Sequence, residues 1–210
     1  MQTVALIDYG SGNLHSAQKA LQKAAASLAT PVDIVLTADP ELVAKADRVV
    51  LPGVGAFSAC ISALRARDGL IEGMAQAVQG GAPFLGICVG MQLLATNGHE
   101  FGVQPGLNWI PGEVRRLEPD KLAFKVPHMG WNDVVACDHP LFSGGPAQMY
   151  FTHSFAFHPA DPAMVAATTD HGGRFASAVL KDNIAGVQFH PEKSQAAGLA
   201  LISRFLEWRP

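Results

Sequence analysis

Short apolar runs alternate with stretches of helical periodicity over the first half of the chain. Thr3 to Ile7 is apolar and ends at Asp8-Tyr9-Gly10-Ser11-Gly12, which predicts a strand and a turn. Leu14, Ala17, Leu21, Ala24 and Leu28 recur at helical spacing and predict the first helix. Val32 to Leu36 reads as a second strand. Val49-Val50-Leu51 reads as a third, stopped by Pro52-Gly53-Val54-Gly55, after which Phe57, Cys60, Ile61 and Leu64 line one helix face. Residues 73–98 carry no Asp, Glu, Lys, Arg or His. Gly80-Gly81-Ala82-Pro83 breaks that stretch, and Gln76, Gln79 and Gln92 make it polar. It therefore reads as helix, turn, buried strand (Phe84 to Ile87) and a helix through about Ala95, rather than as a membrane span.

The rhythm changes after about residue 105. Gly112 to Leu117, Trp131 to Ala136, Met149 to Phe151, Met164 to Thr168, Phe175 to Leu180 and Ile184 to Phe189 are short runs separated by turns. Antiparallel additions to the first sheet, or a second small sheet, would explain them. A last helix buries Leu199, Ile202, Phe205 and Leu206. The expected fold class is α/β: one domain over residues 1–210, a central mixed, mostly parallel sheet flanked by helices, and a smaller antiparallel addition. No composition break marks a boundary inside it.

Composition narrows the classes of function. The chain has 210 residues, 49% hydrophobic and 16% charged, enough for a core that needs no disulfide or metal. The charged share lies below the usual value of about 25%, which hints at surface covered by a partner. A net charge of −3 gives no reason to expect nucleic acid or an anionic membrane. Cys60, Cys88 and Cys137 are few, scattered and odd in number, so a reducing, cytoplasmic location is expected. The N-terminal segment lacks a basic region and reaches Asp8 early, unlike a signal peptide.

Gly86-Ile87-Cys88-Val89-Gly90 is the most informative segment. It lies where an apolar strand passes directly into a helix, the layout of a nucleophile elbow with cysteine in place of serine. A helix N-terminus favours a thiolate. The nucleophile needs a base, and His190-Pro191-Glu192 follows the strand Ile184 to Phe189, at the sheet edge where sites form. Cys88, His190 and Glu192 can then act as nucleophile, general base and orienting acid. An oxyanion hole is also required. Val89 N–H is one candidate donor, and the loop holding Gly53 and Val54 could supply the second.

These segments resemble the class I (triad) glutamine amidotransferases, through Gly86-Ile87-Cys88-Val89-Gly90-Met91-Gln92 and His190-Pro191-Glu192. Within them the chain is similar to the glutaminase subunits of imidazole glycerol phosphate synthase. Further segments carry that narrower likeness: Ile7 to Leu14, Pro52 to Phe57, Pro127 to Asn132, Tyr150 to Ser154 and His190 to Ser194. The resemblance implies that Cys88 attacks the glutamine side-chain amide and that His190 and Glu192 complete a triad. It implies that Gly55, Gln92, Glu100, His153, Ser154 and Phe155 hold the substrate glutamine. It also implies a heterodimer with a (β/α)8-barrel cyclase subunit that receives the ammonia, with Asn13, Trp131, Tyr150 and Lys193 at the interface. No cofactor and no metal are implied. Val89 stands where leucine is common, and Thr152 and Phe155 vary around the His-Ser motif.

Other chemistries fit less well. Gly10-Ser11-Gly12 is followed by His15 where a dinucleotide fingerprint needs glycine. His99-Glu100 lacks the second histidine of a zinc helix, and no C-x-x-C is present. No P-C-x-x-C follows His190-Pro191-Glu192, against a deaminase. His15, His128, His139, His158 and His171 are expected to be structural or solvated. Two alternatives stay open: another enzyme on this scaffold (a glutaminase serving pyridoxal phosphate or anthranilate synthesis, or a cysteine hydrolase), and a pseudo-glutaminase that acts only by binding.

Overall fold

The computed structural model describes residues 1–120, 124–145 and 147–210. Its elements are β1 (Gln2–Ile7), α1 (Leu14–Ala25), β2 (Val32–Thr37), α2 (Pro40–Ala44), β3 (Arg48–Gly53), α3 (Phe57–Arg65), α4 (Leu70–Gln79), β4 (Phe84–Cys88) and α5 (Val89–Gln92). There follow β5 (Asn97–Gly98), β6 (Gln104–Pro105), β7 (Gly112–Arg116), β8 (His128–Ala136), β9 (Ala147–His153), β10 (Phe155–Pro159), β11 (Val165–Asp170), β12 (Arg174–Lys181), β13 (Ile184–Val187) and α6 (Gln195–Glu207).

Among the described residues one nine-stranded sheet runs β2-β1-β3-β4-β13-β12-β11-β8-β9. From β2 to β13 the strands are parallel; from β13 to β9 they are antiparallel. The antiparallel half is thus as extensive as the parallel one. A second sheet, β10-β7-β5-β6, stands beside it. Both explanations offered for the later short runs therefore hold together. Central strands β3 and β4 are buried at every residue, as strands covered on both faces must be. Edge strand β9 alternates instead, with Met149, Phe151 and His153 inward. Helix α1 buries Ala17, Leu21 and Ala24 and packs with α6, which buries Leu201, Ile202 and Phe205.

The helix after Cys88 is much shorter than its apolar pattern suggests. It ends at Gln92 because the chain from Gly106 to Ile110 returns across it. Leu107 N–H donates to the Leu93 carbonyl, Trp109 and Ile110 donate to Leu94, and Asn108 donates to Ala95. Those carbonyls would have carried the next helical turn. Likewise α1 stops at Ala25, while Leu28 still packs half-buried against the core.

Candidate active site

Strand β4 delivers Cys88 onto a sharp bend. Its φ of 55° and ψ of −113° lie in a region that side-chain-bearing residues seldom occupy. The surroundings hold the strain in place. A Cβ on Gly86 would come within 2.6 Å of the Gly90 carbonyl oxygen, and one on Gly90 would run into the Leu51 carbonyl of β3. Gly86 is therefore required by the close return of the elbow on itself, and Gly90 by its contact with the neighbouring strand. Cys88 is 4% exposed, in the wall of a cavity of about 520 Å³.

His190 reaches the same cavity from the end of β13, the strand next to β4. Its Nδ1 lies 2.8 Å from Glu192 Oε1, and the two side chains are 2% and 3% exposed. An ionised carboxylate only accepts, so Nδ1 carries the proton and Nε2 is the basic atom. Among the described residues Nε2 has no hydrogen-bond partner, which leaves it free to take a proton. Burial works against the charged ring. The Cys88 sulfur and the Glu192 carboxylate outweigh it, and His190 is pushed up to about 9. The loop itself is pinned to β9. His190 N–H donates to the Tyr150 carbonyl (2.9 Å), Tyr150 N–H donates to Ser194 Oγ (3.0 Å), and the Ser194 hydroxyl donates to the His190 carbonyl (2.6 Å). A sulfur nucleophile, a base of fixed tautomer and a buried orienting acid can perform acyl transfer.

The model of the glutamine amidotransferase class-I family matches residues 5–207. The chain belongs to that family. Two relatives of the amidotransferase are similar along their whole length. The imidazole glycerol phosphate synthase subunit HisH of Caulobacter vibrioides is 64% identical, with 100% of each chain covered. The subunit of the same name from Ruegeria pomeroyi is 53% identical, over 98% of this chain and 99% of that one. Among solved structures, PurLQS from Thermotoga maritima superposes with a TM-score of 0.72 over 98% of both chains. At 20% identity that likeness concerns the fold alone.

The other expected site residues of the amidotransferase fall into three groups. Val89, Val54, Gly55, Gln92, Glu100, His153, Ser154 and Phe155 line the cavity with Cys88 and His190, while Glu192 stands behind His190. Gly53 does not; it packs behind the wall against Gly90 and Val89. The loop's carbonyls are tied back: Pro52 accepts from Tyr9 Oη (2.8 Å), and Val54 accepts from Ser11 Oγ (2.8 Å) and Cys60 Sγ (3.3 Å). Across a planar trans peptide, the Gly55 N–H then points away from Ser11 and Cys60.

Several groups expected to hold glutamine are partly committed already. Gln92 is 3% exposed, and its Nε2 donates to the Phe155 carbonyl (3.0 Å) and to Gln188 Oε1 (3.0 Å). The Ser154 carbonyl accepts from Leu117 N–H (2.8 Å). Glu100 Oε2 accepts from the N–H of Phe57 (2.8 Å), at the start of α3, so this carboxylate also caps a helix.

Of the expected interface residues, Asn13 and Lys193 line the cavity, and Asn13 makes no side-chain cap to α1. Trp131 and Tyr150 stand outside it, opposite each other on β8 and β9, with ring centroids 6.0 Å apart edge to face. Lys193 Nζ lies 5.8 Å from the Tyr150 ring centroid, and Trp131 is 45% exposed. Gln188 was not foreseen. It is fully buried and donates to Cys88 Sγ at 3.7 Å. A lone amide inside an apolar strand, two residues before the base, was the available signal. His128, expected to be structural or solvated, is buried and bonded to His153. Among the described residues no group of three His, Cys, Asp or Glu side chains is placed to hold a metal ion.

Proposed function

We propose that this amidotransferase, a single domain over residues 1–210, is the glutaminase subunit of an imidazole glycerol phosphate synthase. The observation that carries the chemistry is Cys88 on its strained bend in one cavity with His190, whose ring is held from behind by Glu192. The thiolate attacks the side-chain carbonyl of glutamine, and the resulting oxyanion is held by Val89 N–H and by the backbone of the loop at Val54, with Gly53 packed behind it. The C–N bond breaks, the His190 imidazolium gives its proton to the leaving amine, and ammonia departs from a glutamyl thioester. Neutral His190 then takes a proton from water, hydroxide attacks the thioester, and glutamate leaves as the thiol is restored. Glu192 fixes the ring throughout. Glu100, with one oxygen not used by α3, takes the substrate ammonium, and Gln92, Gly55 and the His153–Phe155 segment surround the rest.

The ammonia must reach a second active site before it picks up a proton. The full-length likeness to subunits named for imidazole glycerol phosphate synthase supports a cyclase partner, with which the chain forms a cytoplasmic heterodimer. No described helix is long and apolar enough to cross a membrane. Exposed Trp131 beside Tyr150 and Lys193 suits an aromatic, cationic contact surface. The test is glutamate release with and without the cyclase subunit. Wild type is expected to release glutamate readily only with the partner, and Cys88→Ala to lose at least about a thousandfold. Equal turnover by Cys88→Ala and wild type overturns the assignment.

A further inference from the structure

Two hydrogen-bonded arms meet at the Phe155 carbonyl, and one of them ends on the nucleophile. In the first, His153 Nδ1 lies 2.9 Å from that carbonyl and His153 Nε2 lies 2.9 Å from His128 Nδ1. Asn132 Nδ2 lies 3.2 Å from His128 Nε2 and 2.8 Å from the Asp170 carbonyl. In the second arm, Gln92 Nε2 bridges the Phe155 carbonyl and Gln188 Oε1, and Gln188 Nε2 faces Cys88 Sγ.

Every donor in this chain is fixed by backbone groups that have no choice. A carbonyl can only accept, so Gln92 must turn its NH₂ to Phe155. The second hydrogen of that NH₂ then requires an oxygen from Gln188, which leaves Gln188 only its own NH₂ to turn toward the sulfur. On the other arm, the same carbonyl puts the His153 proton on Nδ1. His153 Nε2 is then an acceptor, His128 must donate from Nδ1, and Asn132 must donate to His128 Nε2. Asn132 is locked in that sense by the Asp170 carbonyl and by Asp133 N–H, which donates to its Oδ1 at 2.8 Å. Both histidines must be neutral for this to hold. Burial, with their mutual repulsion and that of His171, pushes His128 down to about 3, and burial pushes His153 down to about 4.

We infer that Gln188 is the positioning residue of the nucleophile: its amide, oriented by Gln92 and the Phe155 carbonyl, obliges the Cys88 sulfur to accept a hydrogen bond. An N–H aimed at sulfur favours the thiolate over the thiol and fixes the position of the sulfur at the cavity wall. The inference rests on the nucleophilic role proposed for Cys88. The first arm shares the Phe155 carbonyl and runs to Asn132, next to Trp131 on the strand that carries the proposed contact surface.

The test uses the full-length chain as wild type, Gln188→Met and Gln188→Leu. The two substitutions share the loss of the N–H and differ in shape. Alkylation of Cys88 by iodoacetamide is followed across pH by peptide mass, because Cys137 is exposed and reacts as well. Both variants are expected to shift the profile to higher pH by about one unit. With the cyclase subunit present, kcat for glutamate release is expected to fall about tenfold while KM for glutamine stays within about twofold. Variant profiles that superimpose on wild type overturn the inference. A second measurement needs no variant. In isotope-labelled wild type, the Gln188 side-chain amide resonances should move when Cys88 is alkylated, and unmoved resonances also overturn it. A wild type that alkylates at Cys88 but releases no glutamate sinks the proposed function alone, since the Gln188 effect is read from alkylation.

Discussion

The histidines near the cavity titrate in opposite directions, and each direction has a consequence for stability. His128 and His153 are held neutral by burial, at about 3 and about 4. The unfolded chain binds more protons than the folded one from about pH 6.5 downward, so their contribution is present above that pH and is lost on acidification. His190 is raised to about 9, so its contribution is complete below about 6.5 and is lost as the pH climbs to about 9. The thermal midpoint is therefore expected to drop on both sides of about pH 6.5, by on the order of 10 °C toward pH 4.5, in calorimetry. His128→Gln keeps a donor for His153 and an acceptor for Asn132 but cannot titrate, so its acid limb should be shallower. At this scale the reacting atoms were legible: cysteine between two glycines, and histidine two residues from an acid. Gln188 was hidden because an amide just past the end of β13 has no motif, and its task depends on which neighbours fix its two ends.

At the scale of elements, the elbow is set by the distance between backbones. Gly90→Ala places a methyl group against the Leu51 carbonyl, which only a movement of β3 or β4 could relieve. A loss of about 3 kcal/mol or more is expected, read as a lower midpoint in urea and a fall in soluble yield. Strands β1, β3, β4 and β13 were readable because buried parallel strands are continuous apolar runs, and β2, an edge strand with a half-exposed pattern, by its short apolar stretch. Helix α5 was misjudged in length because periodicity reports which face is apolar and says nothing of a distant segment that takes the carbonyls. Strands β5 and β6 have two residues each, too few to show any period.

Across the whole molecule, the parallel half carries the nucleophile, while the base hangs from the antiparallel half as well. The Ser194 hydroxyl closes that attachment, between Tyr150 on β9 and the His190 backbone. Ser194→Ala leaves the Tyr150 N–H without its acceptor and should cost about 1–2 kcal/mol in stability. It should also lower kcat for glutamate release more than it raises KM, a split visible in steady-state kinetics with the partner present. The mixed sheet was foreseen in kind; the order of its later strands was not, because turn-separated runs do not reveal which neighbour each one pairs with.

Strand β9 is the outermost member of the large sheet, four places removed from β13, from whose end the imidazole loop departs. The ring is thus tethered at the rim while the sulfur sits near the middle. A load applied at that rim would therefore arrive at the base through two bonds of a single residue, the Tyr150 carbonyl to His190 N–H and the Tyr150 N–H to Ser194 Oγ.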